Sequence, residues 1–336
     1  MTSFFLAIFI STLISFVLTP LVRNFFIARG FTEDPHLKNK KTGNATAVKI
    51  LPRGGGLPIF IAVLLTSLLL IPLDRHLLSI LIAATLTLSV GLLDDIKDIS
   101  PHFRLFTNLV SALIIISAGI GINYLSNPFG GVINLSPALS SLLLIFWLVW
   151  CTNTVGWAAG IEGQLPGFVS IAAIFIGILG LKFSTDTTQW PVIILAGAVA
   201  GSYLGFLPYN FFPQSIMPGY SGKSLAGFFL SLLSVLSGAK LATLIFLLGV
   251  PMIDAVLVII RRLSQKKSIF LSDDSHFHHQ LLKLGWSRSQ IAIFYWALTF
   301  LLGLLSLFLN SQQKFYAFLG IALILSTLIT KAYRRS

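Results

Sequence analysis

Eleven apolar stretches run along this chain, and short polar segments separate them. A helix needs about 20 residues to cross a hydrocarbon core about 30 Å thick, and most of these stretches approach that length. The pattern predicts an all-α polytopic membrane protein in which residues 1–336 form a single integral domain. The predicted spans lie near residues 3–20, 56–72, 77–93, 105–122, 137–156, 166–183, 190–208, 224–238, 241–260, 289–309 and 315–331.

Basic residues predict the orientation of these spans, because cytoplasmic loops retain Lys and Arg. An odd number of spans places the two termini on opposite sides. With the N-terminus outside and the C-terminus cytoplasmic, the cytoplasmic segments hold 19 of the 23 Lys and Arg residues. The outer side then keeps only Arg75, Lys182, Lys240 and Lys314.

Composition excludes a soluble domain, because 55% of the residues are hydrophobic and only 10% are charged. The predicted topology and anionic lipid headgroups account for the net charge of +12. We therefore expect membrane lipids, and no nucleic acid, as partners.

The first apolar stretch lacks a basic flank and a cleavage signal, so we expect a retained helix. Cys151, the only cysteine, is expected to be a packing residue.

Three carboxylates, Asp94, Asp95 and Asp98, follow the third predicted span. Helical spacing places Asp94 and Asp98 on one face, with Asp95 about 100° away. Adjacent carboxylates suit Mg²⁺ with a diphosphate, or a general base beside a phosphoryl acceptor. The alternative is a solvated helix end whose acids pair with Lys97 and Arg104.

A second polar cluster covers residues 273–279 and reads Asp-Asp-Ser-His-Phe-His-His. Histidine can ligate a metal, donate to phosphate or move protons. A structural zinc site is disfavoured because the only nearby acids are Asp273 and Asp274 and no cysteine is near. Contact with phosphate fits better, because basic residues precede the cluster. They are Arg261, Arg262, Lys266 and Lys267.

Two glycine-rich loops, 52–56 and 218–224, precede predicted spans on the same side and can bind anions through backbone N–H groups. The second is no Walker A loop, because Met217 stands where the first glycine is required. Asp254 lies inside the ninth predicted span, where a functional role and a structural pairing are about equally favoured. Glu162, between two glycines, is a weak signal alone.

Short motifs follow one another in a fixed order along nearly the whole chain. They are Thr19-Pro20-Leu21-Val22, Asp34-Pro35, Pro52-Arg53-Gly54-Gly55-Gly56, Leu93-Asp94-Asp95, Asp98-Ile99-Ser100, Ile260-Arg261-Arg262 and His276-Phe277-His278-His279. In this order the chain resembles the bacterial polyprenyl-phosphate N-acetylhexosamine-1-phosphate transferases. The Arg-Gly-Gly-Gly loop and the His-x-His-His form are closer to this branch than to the branch that transfers phospho-MurNAc-pentapeptide.

The resemblance implies an eleven-span enzyme of the bacterial cytoplasmic (inner) membrane with a cytoplasmic active site. Such an enzyme moves an N-acetylhexosamine-1-phosphate from its UDP carrier to undecaprenyl phosphate, releases UMP and starts a cell-envelope polysaccharide, as in lipopolysaccharide or cell-wall biosynthesis. Because two anions must meet, Mg²⁺ and basic groups are expected at the site. UDP-N-acetylhexosamine and undecaprenyl phosphate are the expected partners, and a homodimer remains open.

The resemblance also assigns roles to residues of this chain. The catalytic candidates are Asp94, Asp95 and Glu162, and the candidate Mg²⁺ ligands are Glu162 and Asp95. The candidate substrate-binding residues are Arg53, Asn153, Arg262, His276, His278 and His279, and Lys223 is a further candidate because of its charge rather than the resemblance.

The chain departs from the family pattern in two loops. After the fifth span Asn153 is retained, but Gly156 replaces an Asn, Ala159 an Asp, and Glu162 a second Asp. Before the eighth span, Tyr220 stands where the family has a magnesium-binding Asp. A neutral phenol is a poor ligand for a hard cation. We therefore also consider that Lys223 supplies positive charge beside the diphosphate.

Two other classes of function are alternatives to the transferase. A catalytically silent homologue would bind lipid phosphate or nucleotide sugar, or partner another glycan enzyme, and would retain its cellular role in Asp94→Asn. A transporter would need charged residues at mid-membrane on several helices, and Asp254 alone meets that condition. The transferase is the favoured interpretation.

Overall fold

A computed structural model describes residues 1–36, 49–127, 129–182, 189–237, 240–268 and 275–335. The first helices are α1 Thr2–Ala28, α2 Gly56–Leu70, α3 Arg75–Lys97, α4 Pro101–Ser117, α5 Pro137–Trp157, α6 Gln164–Leu181 and α7 Trp190–Asn210. They are followed by α8 Gly219–Leu236, α9 Lys240–Leu247, α10 Gly249–Ser264, α11 Phe277–Lys283, α12 Arg288–Phe308 and α13 Ser311–Arg335. The structure confirms the predicted helical class.

Two small antiparallel hairpins were not predicted. Strands β1 (Thr32–Glu33) and β2 (Leu51–Pro52) pair after α1, and β3 (Tyr124–Ser126) pairs with β4 (Val132–Asn134) between α4 and α5. Strands of two or three residues are too short to show the alternating pattern from which a strand is predicted. The first hairpin carries Glu33 and leads into the 52–56 loop, so it helps to place the site.

Among the described residues, seven helices are long and apolar enough to cross a membrane, or eight if one bent pair counts as a single span. The chain is thus a multi-pass membrane protein, while the count of eleven and the orientation remain predictions. Helices α2 and α4 are apolar but have only 15 and 17 residues. The span predicted over 241–260 is not one straight helix, because α9 and α10 meet at an angle of 82°.

Small residues hold α1 against α7. Gly197, Gly201 and Gly205 recur every fourth position on α7, and a Cβ on any of them would overlap atoms of α1. The facing residues of α1 include Ala7, Ser11 and Ser15, all of them buried, whereas its opposite face exposes large apolar residues. Small residues inside and bulky apolar residues outside are typical of a helix packed in lipid.

Helix α8 lies at the centre of the molecule and packs against α2, α3 and α5. Glycines allow this close approach, because Gly56 and Gly91 lie against Ser221, and Gly227 lies against the backbone of Thr152. The first turn of α8 is therefore fixed beside the last turns of α3. A second, smaller apolar core joins α10, α11, α12 and α13 and supports residues His276 to His279, the histidine segment.

Candidate functional site

The acidic cluster lies where α3 ends. Asp94 and Asp95 are buried in its last turn, and the side chain of Asp98, which follows it, is 71% exposed. The C-terminal end of a helix carries partial negative charge, so buried carboxylates there need positive partners. The structure provides such partners from three other elements.

Asp95 binds the first turn of α8. Its Oδ1 accepts a hydrogen bond from the Tyr220 N–H at 2.6 Å, and its Oδ2 accepts from the Ser221 N–H at 3.2 Å and the Ser221 hydroxyl at 2.5 Å. These contacts satisfy N–H groups that have no partner within the helix. Gly219 has a φ of +66°, and a Cβ there would overlap the Asp95 carboxylate. Asp95 therefore joins α3 to α8.

Asp94 lies between two arginines. Its Oδ1 accepts from Arg104 Nη2 at 2.6 Å and from the Ile99 N–H at 3.1 Å. Its Oδ2 is buried, has no hydrogen bond and lies 3.7 Å from Arg53 Nη2. The pairing with Arg104 was expected of a solvated helix end, but Asp94 is buried, and its pairing with Arg53 across 41 positions was not predicted.

Arg53, in the loop before α2, lies among four carboxylates. Its guanidinium is 2.9 Å from Asp98 and 3.5 Å from both Glu33 and Asp95, in addition to the contact with Asp94. Burial alone would lower the pKa of Arg53, but the charges of Asp95, Glu33 and Asp98 raise it above its ordinary value. Arg53 is thus a permanent cation held inside the acidic cluster.

Tyr220 lies under Arg104. The Arg104 guanidinium carbon is 4.8 Å from the centre of the phenol ring, and the Tyr220 hydroxyl hydrogen-bonds Asn108 of α4. A cation over an aromatic face is attracted by the ring quadrupole. The residue that replaces the family aspartate is therefore held by an arginine and an amide.

Asp254 anchors the histidine segment. Its Oδ2 is 2.8 Å from His276 Nδ1, and its Oδ1 accepts from the Phe277 N–H at 2.9 Å. The carboxylate thus binds the first N–H of α11 and one edge of the His276 ring. Asp254 lies in the second turn of α10, and its partner belongs to a candidate site. Asp273 and Asp274 lie outside the described residues.

The three histidine rings lie together. The ring centres of His276 and His278 are 5.8 Å apart, and the two ring planes differ by only 2°. The ring centres of His278 and His279 are 4.3 Å apart, and that of Trp157 lies 6.1 Å from that of His276. His278 is buried, and its Nδ1 has no hydrogen bond. Burial lowers the pKa of His278 well below its ordinary value, and the charges of His279, His276 and Lys223 lower it further.

The 158–163 loop adjoins this segment. Gly160 lies against the His278 ring, where a Cβ would overlap Nε2. Glu162 is buried, and its Oε2 accepts from Arg288 Nη1 at 2.7 Å. Asn153 donates to the carbonyl of Val149 within α5, 2.8 Å away.

Some predicted residues thus lie together and others do not. His276, His278, His279 and Lys223 belong to one group, and Arg53, Asp94 and Asp95 to another. Arg262 is buried near the end of α10. Asn108, Trp157 and Arg288 were not predicted as site residues, because each contacts its partner across more than 100 positions.

The described residues do not fit a magnesium ion at the acidic cluster. Mg²⁺ requires near-octahedral oxygen ligands at about 2.0–2.1 Å. In the part of the chain that the structure describes, no three Asp, Glu, His or Cys side chains converge as a metal-ligand group. Both oxygens of Asp95 bind α8, and Glu162 binds Arg288. These contacts give no support to Asp95 and Glu162 as a ligand pair.

Comparison with known proteins agrees with the motifs. The model for "Glycosyl transferase family 4" matches residues 77–238. A probable undecaprenyl-phosphate N-acetylglucosaminyl 1-phosphate transferase of Bacillus subtilis is 30% identical over 91% of this chain and 84% of its own length. A decaprenyl-phosphate N-acetylglucosaminephosphotransferase of Mycobacterium leprae is 28% identical over 84% of this chain and 81% of its own length.

A phospho-N-acetylmuramoyl-pentapeptide-transferase of Bacillus velezensis is 27% identical over 90% of this chain and 94% of its own length. The similarity to all three relatives thus extends over most of each chain. The chain therefore belongs to glycosyl transferase family 4 and is a multi-pass phospho-sugar transferase of the bacterial inner membrane.

Proposed function

We propose that this chain transfers an N-acetylhexosamine-1-phosphate from a UDP-sugar to undecaprenyl phosphate at the cytoplasmic face of the membrane, and so starts a cell-envelope polysaccharide. One observation carries the proposal. The first two turns of α8 join the acidic cluster to the histidine segment. Asp95 binds Tyr220 and Ser221, and the positive charge of Lys223 lowers the pKa of His278.

The reaction is a phosphoryl transfer between two anions. A non-bridging oxygen of undecaprenyl phosphate bonds to the sugar-bearing phosphorus of the donor. The bond from that phosphorus to the bridging oxygen breaks, and UMP leaves with the electron pair. Catalysis of such a step consists mainly of positioning and of stabilising negative charge.

The basic side chains of the site have that role in the proposal. Arg104 has N–H groups suited to phosphate oxygens, Arg53 adds positive charge among the acids, and Asp94 and Asp95 hold these arginines and the N-terminal turn of α8 in place. Lys223 adds positive charge beside the histidines. In this chain Asp94 and Asp95 are thus positioning residues.

The histidine segment serves the donor diphosphate. Asp254 binds the Nδ1 edge of His276 and so fixes the ring, and the proposal assigns the Nε2 edge to the donor. Glu162 fixes the adjoining loop through Arg288. Undecaprenyl phosphate is assigned as the acceptor because the relative from Bacillus subtilis is named for that lipid, and the aligned region covers 91% of this chain.

Release of UMP tests the proposal. Purified full-length protein receives undecaprenyl phosphate and either UDP-N-acetylglucosamine or UDP-N-acetylgalactosamine. We expect lipid-dependent release that falls at least tenfold in Lys223→Ala and is unchanged in Lys331→Ala, a matched loss of an exposed lysine in the last helix. Binding of the donor without any release would contradict the transferase and favour the silent homologue.

A further inference from the structure

We infer that the acidic face formed by Asp94, Asp95 and Asp98 takes no divalent cation, because Arg53 and Arg104 provide the positive charge there as part of the chain. The inference deepens the proposed function, on which it rests, by naming the cation that faces the substrate phosphates. It departs from the magnesium requirement that the family resemblance implies.

The position of Arg53 is the first observation. Its guanidinium approaches Asp94, Asp95 and Asp98 at 3.7, 3.5 and 2.9 Å, and its side chain is only 12% exposed. Asp94 Oδ2 is the buried oxygen without a hydrogen bond, and so the place where a metal would find a donor. A metal bound there would lie next to a permanent cation and be repelled by it.

The second observation concerns the other acidic oxygens. Asp95 uses both oxygens for the first turn of α8, and Asp94 uses Oδ1 for Arg104 and the Ile99 N–H. A metal that recruited them would leave buried N–H groups of Tyr220 and Ser221 without partners. Such groups are costly to leave unsatisfied.

The third observation concerns Tyr220, which stands where the family has its metal-binding acid. Arg104 covers the ring at 4.8 Å, and Asn108 binds the hydroxyl. Glu162, the other acid assigned to the metal, binds Arg288 at 2.7 Å. Each acid that could serve as a ligand therefore has an arginine or a helix N-terminus as its partner.

Arginine can replace a metal ion at this site in binding phosphate oxygens and in stabilising their negative charge. Its planar fork binds two phosphate oxygens at once and remains charged at any working pH. It cannot withdraw electrons as a Lewis acid does, so the expected contribution is electrostatic. Anionic phosphate groups of the substrates are then held by N–H donors.

Binding of Mn²⁺, a paramagnetic substitute for Mg²⁺, tests the inference without any need for activity. Full-length protein in detergent is titrated with Mn²⁺, and free Mn²⁺ is followed by electron paramagnetic resonance. We expect the wild type to show no one-per-chain site at millimolar Mn²⁺. A stoichiometric site that Mg²⁺ displaces and that Asp94→Asn removes would overturn the inference.

Two variants test whether the arginines are what prevents a divalent cation from binding at the acidic face. Arg53→Gln and, independently, Arg104→Gln leave acids without their partner, so we expect each folded variant to gain Mn²⁺ binding. Arg29→Gln, at the exposed end of α1, is the matched control and gains none. If Arg53→Gln does not fold, Arg104→Gln alone tests the inference. The Arg104 side chain is 30% exposed, so this variant is expected to fold. A folded variant without the gain contradicts the inference.

The two proposals fail separately. If wild-type protein releases no UMP under any condition, the proposed function is wrong, and the Mn²⁺ titration still decides the inference. If release occurs and stops in excess chelator while the wild type binds Mn²⁺ at Asp94, the function stands and the inference is wrong. Release that persists in chelator supports both.

Discussion

At the scale of single residues, the site is organised by pairs of opposite charge. Arg104 binds Asp94, Arg53 lies close to the Asp95 carboxylate, and Arg288 binds Glu162. Buried charges of one sign require such partners, since breaking a pair leaves an uncompensated charge in a medium of low dielectric. Asp254 differs, because its partners are a histidine ring and a backbone N–H.

Asp254→Asn tests that arrangement. The amide can still accept from the Phe277 N–H but no longer offers a carboxylate to His276 Nδ1. We expect UMP release to fall by about tenfold or more, mainly in kcat, as for a residue that orients a histidine of the site. Partial recovery in Asp254→Glu is the internal control. An unchanged kcat would mean that Asp254 serves only to hold α11.

His278 gives a prediction about pH. Its pKa is lowered well below the ordinary value of 6.5 because the ring is buried, so the folded chain excludes a proton that the unfolded chain binds. Stability is therefore retained above about pH 6.5 and lost as the pH falls below it. We expect the melting temperature to fall more between about pH 7 and pH 5.5 in wild type than in His278→Asn. Parallel curves would contradict this assignment.

At the scale of elements, the N-terminal turn of α8 is the point at which the parts of the site meet. Asp95 of α3 binds it, Arg104 and Asn108 of α4 cover Tyr220, and the charge of Lys223 lowers the pKa of His278. Gly219 makes this contact possible, because its φ of +66° and its lack of a Cβ let the carboxylate approach the helix.

Gly219→Ala is expected to weaken this junction. A side chain in the left-handed region costs about 1 kcal/mol, and overlap with Asp95 adds to the loss. Gly285→Ala is the matched control, because its φ is +87° and a Cβ there would meet nothing within 4 Å. We expect both variants to melt earlier and only Gly219→Ala to lose UMP release. Equal effects on release would argue against the junction.

At the scale of the whole molecule, small residues determine how closely the helices pack. The contact of α1 with α7 depends on Gly197, Gly201 and Gly205. Gly201→Leu is expected to separate the two helices and destabilise the protein by about 1–3 kcal/mol, as overpacking does. Gly320→Leu, where a Cβ would meet nothing within 4 Å, is expected to have little effect. Melting in detergent measures both.

Much of this architecture was predictable from the sequence, because apolar length identifies helices that cross a membrane. The break between α9 and α10 was missed, although Gly249 and Pro251 were local signals for it. Asp254 was accordingly placed inside the ninth predicted span, whereas it lies in the second turn of α10, after the break. Contacts such as that of Glu162 with Arg288, 126 positions away, depend on tertiary packing and have no local signature.

The most direct test of the account is lipid-dependent UMP release by the full-length protein, compared between wild type and Asp95→Asn. Asp95 joins α3 to α8, so loss of its charge is expected to reduce release at least tenfold while donor and lipid still bind. Release that does not require undecaprenyl phosphate, or that is equal in the two proteins, would contradict a transferase whose site is built on this junction.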